Sequence, residues 1–180
     1  MVPEARLGRY ETGLAPKTEG WFVLNARDGT WYTSPQMGSV WELESPDVGF
    51  DQLGIRIVTL LPGQSHGFYH RESAQEDFLV LFGEALLLVE GEERRLKAWD
   101  FFHSPPGTEH VLIGSGEGPC AILMTGARSP DASIVYAVSE LALRHDAGQK
   151  VETTDPSEAY AGLPEERVER PPYWDQLPWA

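Results

Sequence analysis

Four of the five histidines fall between His66 and His110, interleaved with acids: His66, His70, Glu72, Glu76, His103 and His110. In an extended segment, alternation puts His70 and Glu72 on one face, two residues apart, where an imidazole and a carboxylate can share a ligand. Glu76 opens the next apolar run, and His110 follows the turn Pro105-Pro106-Gly107 on a strand that antiparallel pairing can lay alongside. Two imidazoles and one or two carboxylates converging inside a small barrel suit one divalent transition metal, with positions left open for water, substrate or dioxygen. Zn, Fe, Mn and Ni all accept such a mixed nitrogen and oxygen donor set. A single histidine on a strand is more often a hydrogen-bonded structural residue, so the joint spacing carries the metal reading. Glu72 is the expected fourth ligand and His66, four residues before His70, its rival. His103 alternates with Phe102 and is expected to pack or to orient a ligand.

The elements that must position these side chains read as strands. Residues 54–62 (GIRIVTLLP) form a β-branched run closed by Pro-Gly, and residues 76–107 give several strand-like runs cut at Gly83, at Gly91-Glu92-Glu93 and at the Pro-Pro-Gly turn. Residues 107–114 (GTEHVLIG), the turn GSGEGP and the run CAILMTG continue the pattern, which points to an all-β sandwich or barrel. Residues 1–53 read as an N-terminal extension adding edge strands from WFVL, TWYTSP and SVWELE, and 54–138 as the barrel. Residues 139–180 read as a C-terminal extension. It holds one short helix over 139–145 capped by Ser139, and another over 156–161 with Asp155 as cap and Pro156 in the first turn. The ending RPPYWDQLPWA is too rich in proline for regular structure, and its aromatics are expected to be pinned on apolar surface, of its own domain or of a partner. Trp99, Phe101, Phe82 and Phe78 are expected mainly in the core, and Cys120 as a buried small hydrophobe.

The central segment resembles the cupin superfamily. PGQSHGFYHRESAQEDFLVLFG, read from Gly63, is similar to the motif G(x)5HxH(x)3-4E(x)6G, with Glu76 and Gly83 at the expected spacing; WDFFHSPPGTEHVLIG is similar to G(x)5PxG(x)2H(x)3N through Pro105, Gly107 and His110. The sequence departs from the pattern where Glu72 replaces a second His, Trp99 the opening Gly of the second motif and Gly114 its Asn, and where one extra residue separates Gly63 from His70. The resemblance spans Ile55 to Ala127 and implies a double-stranded β-helix, or jelly roll, with one divalent metal held by His70, Glu76 and His110, and by Glu72 through position alone.

Composition narrows the partners. A net charge of −14 repels phosphate backbones, which excludes nucleic acid, and no apolar run approaches the ~20 residues of a membrane span. The lone cysteine forms no internal disulfide, and the start MVPEARLGRY lacks a secretory pattern, so a cytoplasmic location is expected. Exposed sheet edges and the apolar tail point to a homodimer. The expected partner is a small molecule, bound or transformed by a metal-binding cupin, with dioxygenase and isomerase as candidate enzyme types; the alternative is a non-catalytic binding or storage module. Fold alone does not choose between turnover and capture.

Overall fold

A computed structural model describes residues 1–180. Thirteen short strands run β1 (Leu7–Tyr10), β2 (Gly13–Pro16), β3 (Trp31–Ser34), β4 (Gly38–Glu42), β5 (Leu53–Leu60), β6 (Arg71–Glu72), β7 (Glu76–Phe82), β8 (Glu84–Val89), β9 (Glu92–Lys97), β10 (Phe101–Ser104), β11 (His110–Ser115), β12 (Cys120–Ala127) and β13 (Ile134–Val135). Helices α1 (Glu140–Arg144) and α2 (Pro156–Ala159) follow. A six-stranded sheet in the order β10-β7-β12-β5-β4-β3 faces a three-stranded sheet, β11-β8-β9, and the pair β13-β6 closes one end. This is the all-β barrel expected from the turn spacing, in the double-stranded β-helix form that the resemblance implies.

Alternation decides which side chains fill it. On β7, Phe78 and Val80 point inward; on β12, Cys120, Ile122 and Met124; on β5, Val58 and Leu60. These meet Leu87 and Leu112 from the smaller sheet in one apolar core. The outer strand β9, EERRLK, is almost wholly solvated, as suits an edge strand that must resist pairing with other chains.

The flanks differ in what they contribute to the sheets. TWYTSP and SVWELE supply β3 and β4, which extend the large sheet beyond β5. WFVL forms no strand: Trp21 makes one isolated bridge to Glu4, and Val23 is exposed. Beside β3 the chain from Arg167 already occupies the position next to Thr33, so WFVL finds no vacant sheet edge there. A β1–β2 hairpin forms instead, from segments too short and mixed to show a period. Ser139 caps α1 by accepting from Ala142 N–H, and Asp155 caps α2 by accepting from Ser157 N–H.

The C-terminal tail folds onto its own chain. Trp31, fully buried, is stacked by Trp179 at 5.4 Å between ring centroids and met edge-on by Trp174 at 5.7 Å. Tyr173 donates its hydroxyl hydrogen to the Thr59 carbonyl at 2.9 Å. The Trp99 and Phe101 side chains, expected in the core, project outward with 74% and 62% exposure. They belong to the turn into the edge strand β10, where alternation turns Phe102 inward instead, stacked on Phe78.

Candidate metal centre

His70 and His110 reach the barrel mouth from opposite directions and are locked together by their backbones. Each N–H donates to the other's carbonyl, at 3.0 and 2.8 Å. Each ring is then oriented the same way: Nδ1 of His70 lies 2.7 Å from the Phe68 carbonyl, and Nδ1 of His110 lies 3.1 Å from the Thr108 carbonyl. A carbonyl only accepts, so both Nδ1 atoms carry hydrogen, and each neutral ring presents a bare Nε2 lone pair.

Glu76, the first residue of β7, completes the set. Its Oε2 stands 3.7 Å from His70 Nε2 and 3.5 Å from His110 Nε2, and ligand atoms of the three residues lie within 4.8 Å of one another. These separations are too long for good hydrogen bonds. Glu76 Oε2 and His110 Nε2 are moreover buried without any hydrogen-bond partner. Converging lone pairs that are buried and unsatisfied are costly unless a cation draws them together, so these residues fit a metal ion. The donor set of two imidazole nitrogens and a carboxylate oxygen suits a first-row divalent ion.

The other candidates are placed differently. Glu72 faces the same cavity as His70, as alternation requires, but its carboxylate is 4.0 Å from His70 Nε2 and lies outside the tight cluster. Between them Arg71 points away and pairs with Glu109 at 2.6 Å. His66 lines the cavity but also stays out of the cluster, its Nδ1 3.4 Å from the Met37 carbonyl. His103 is on the outer surface, paired with Asp77 at 2.6 Å, and neither lines the cavity nor orients a ligand.

Charge at the centre is set by burial and by these neighbours. For His70, burial disfavours the cation, but Glu76 beside it, the Phe68 carbonyl and Glu72 outweigh that and raise its pKa above the ordinary histidine value. Burial, then the charge of His70, lowers that of His110. Glu72 is pushed up by burial and then by Glu76. A metal ion binds only deprotonated Nε2 atoms, so an entering cation would compete with protonation of His70.

The three residues open onto a cavity of about 880 Å³, within the range of small-molecule sites. Phe78, Met124 and Leu112 give it apolar walls, while Arg56, Tyr136 and Tyr160 supply polar groups. The Tyr136 ring lies 6.0 Å from that of His70 and meets Tyr160 edge-on at 5.7 Å. Neither tyrosine could be singled out from sequence, because each reaches the mouth from beyond the barrel's main strands. Arg56 does carry a sequence signal, as a charged residue in phase with the buried Val58 and Leu60.

A double-stranded β-helix with a His, Glu, His cluster at its mouth defines a β-barrel with a candidate metal site. Residues 56–126 match the family profile for the cupin domain, and this barrel belongs to the cupin superfamily. Among solved structures, the putative sugar phosphate isomerase of Acidithiobacillus ferrooxidans is 24% identical, over 53% of this chain and 62% of its own, with a TM-score of 0.48. The chain thus spans less than two thirds of that protein. The polyketide cyclase RemF of Streptomyces resistomycificus is 16% identical over 62% of this chain and 83% of its own, with a TM-score of 0.53. An RmlC-like cupin of Shewanella frigidimarina is 19% identical over 64% and 96%, with a TM-score of 0.50. The last two likenesses establish a shared fold. No curated protein matches the chain as a relative. No helix is long and apolar enough to cross a membrane.

Proposed function

We propose that the protein is a metal-dependent enzyme acting on a small molecule in the barrel cavity, with His70, Glu76 and His110 holding one divalent transition ion and Glu72 as the fourth ligand. The observation that supports it most is the pair of buried, unpartnered lone-pair atoms, Glu76 Oε2 and His110 Nε2, 3.5 Å apart. When bound, a Zn, Mn or Ni ion would supply Lewis-acid polarisation of a carbonyl, as an isomerase uses, and Fe(II) a site for dioxygen, as a dioxygenase uses. The chain's own part is to hold the two rings in one tautomer through Phe68 and Thr108, and to give the pocket apolar walls with Phe78 and Met124.

Elemental analysis of untagged protein, beside a His70→Ala, His110→Ala double variant checked for folding, tests the centre. Near one metal per chain, lost in the variant, is expected, and the identity of the ion chooses between the two chemistries. Metal absent from both proteins would sink the reading and favour a binding or storage module without turnover. We place the protein in the cytoplasm, as a homodimer joined at exposed sheet edges, since the tail is engaged with its own chain. Light scattering that gave a monomer mass would remove the dimer.

A further inference from the structure

The interior of the large sheet is built in cross-strand rows, and one of them contains an arginine. Glu76, Gly126 and Gly54 form the row nearest the mouth; Phe78, Met124 and Arg56 form the next; Val80, Ile122 and Val58 form the one below. Arg56 shares its face of β5 with Val58 and Leu60, both wholly buried in the core. Its side chain lines the cavity near its open end, where it is still exposed to solvent. A guanidinium on the wall of a cavity and open to solvent is placed to receive an anionic ligand.

The chain supplies none directly. Arg128, also on the cavity wall, is neutralised by Glu44 with Nη1 to Oε1 at 2.7 Å. Glu42 stands across from Arg56 on β4, and Glu166 lies on the cavity wall, yet neither forms an ion pair with it. Across the row, Arg56 is two strands from Phe78, about 10 Å between backbones, and Phe78 meets the His110 ring edge-on at 5.1 Å. The row between Glu76 and Gly54 carries no side chain at Gly126, where an added Cβ would touch only Glu76 Cγ, at 3.8 Å. That leaves an open floor from the His, Glu, His cluster to the guanidinium.

We propose that Arg56 anchors the carboxylate of a small organic acid whose other end lies at the His70, Glu76, His110 centre. This deepens the reading of the cavity as a small-molecule site and rests on it. A carboxylate suits the geometry because guanidinium and carboxylate pair through two parallel hydrogen bonds. It suits the charge better than a phosphate does, since Glu72, Glu76 and Glu166 already face this space and a dianion would add to their repulsion. Phe78 and Met124 between the two ends favour a partly apolar carbon skeleton. His66 adds a second polar contact: burial first, and then the charge of Arg56, keep its imidazole neutral and able to hydrogen-bond the same group.

Calorimetry tests this with succinate, levulinate and benzoate, each beside its primary amide, and with glycerol phosphate, on metal-free and zinc-loaded full-length protein. At least one carboxylate is expected to bind where its amide does not. Arg56→Met is expected to weaken that binding at least about tenfold, and Arg56→Lys to restore part of it, with zinc content unchanged. No carboxylate binding to the parent protein would overturn the proposal, as would equal affinity in Arg56→Met or tighter binding of an amide or of glycerol phosphate. If Arg56→Met loses thermal stability while carboxylate affinity holds, the guanidinium serves Glu42 and Glu166, and the proposal also fails. Failure of the metal reading shows separately, as absent zinc with carboxylate binding retained by the metal-free protein.

Discussion

His70 and His110 are partners twice over, exchanging both backbone hydrogen bonds and placing their rings 4.9 Å apart between centroids. The register between two chain segments forty residues apart is thereby fixed at the point where the ligands are needed. A one-residue slip of either segment would turn one imidazole to the opposite face. Because each Nδ1 is tied to the carbonyl two residues back, neither ring is free to rotate its Nε2 away. The centre is thus organised before any ion arrives, and an ion adds its binding energy to folding almost undiminished by reordering.

That addition is measurable. Metal present at a hundredfold excess over its dissociation constant should stabilise the fold by about 2.7 kcal/mol, which for a chain of this size raises Tm by roughly 5 to 11 °C. Chelator-stripped protein titrated with Zn, Mn, Ni and, anaerobically, Fe(II) should show the rise by calorimetry. His70→Ala, His110→Ala should show none. A rise of equal size in the variant would place the ion elsewhere.

The tail offers a test of a different kind. Tyr173→Phe removes the hydrogen bond to the buried Thr59 carbonyl while keeping the ring, and should cost about 1 kcal/mol. Truncation before Arg170 uncovers Trp31, with loss of Trp174, Leu177 and Trp179 from its surroundings, and should cost at least about 3 kcal/mol. Urea unfolding reads both. Truncation with no change in stability would contradict the packing of this segment on Trp31.

Much of this was legible because strand-forming runs and turns alternate so clearly between Ile55 and Ala127. Gly83, Gly91 and the Pro-Pro-Gly turn mark the strand ends, and alternation gives the shared face of His70 and Glu72. What stayed hidden depends on distance along the chain. Tyr160 reaches the cavity from α2 and Tyr136 from just beyond β13, and no local pattern announces such an arrival. WFVL shows why propensity misleads at the edges: Trp21, Phe22 and Val23 favour a strand, but a strand needs a free neighbour. His66 and Glu72 were rivals on spacing alone, and only three-dimensional placement separates both from the tight cluster of His70, Glu76 and His110.

His66 should titrate far from its usual range. Burial, followed by the positive charge of Arg56 and then opposed by the Met37 carbonyl, lowers its pKa to about 4, with His70 as a further cation nearby. In the unfolded chain the value is about 6.5. Between these two, the unfolded chain binds a proton that the folded chain refuses, so folding stability rises with pH. This contribution is complete above about pH 6.5 and is lost as the pH falls towards 4. His110 shifts in the same sense and His70 in the opposite one, so the difference between the parent protein and His66→Gln isolates the effect. Urea midpoints from pH 4.5 to 7.5 should show the parent protein losing stability relative to His66→Gln towards the acid end. NMR should place the His66 transition near 4, and higher in Arg56→Met; a transition near 6.5 in the parent protein would show that the ring is not shielded.

Two departures from the cupin motif should respond in opposite directions when reverted. At Trp99, where the pattern has glycine, the backbone keeps the left-handed conformation, with φ of 76°. The turn is held by Trp99 N–H donating to the Val80 carbonyl at 2.7 Å and Ala98 N–H to the Gly83 carbonyl at 3.1 Å. A side chain in that region costs about 1 kcal/mol, and the indole, 74% exposed, recovers little of it through burial. Trp99→Gly should therefore stabilise the fold by up to about 1 kcal/mol. At Gly114, where the pattern has asparagine, an added Cβ would sit 2.3 Å from the Leu61 carbonyl oxygen, on a backbone that Gly63 and Gln64 also grip by hydrogen bonds. Gly114→Asn must push that backbone aside, at a cost of about 1–3 kcal/mol or more. Thermal unfolding of the two variants side by side compares them. If Trp99→Gly were instead destabilising by more than about 1 kcal/mol, the indole would have to be held by contacts worth more than the strain it imposes, and this turn would be a built feature of the surface rather than a tolerated substitution.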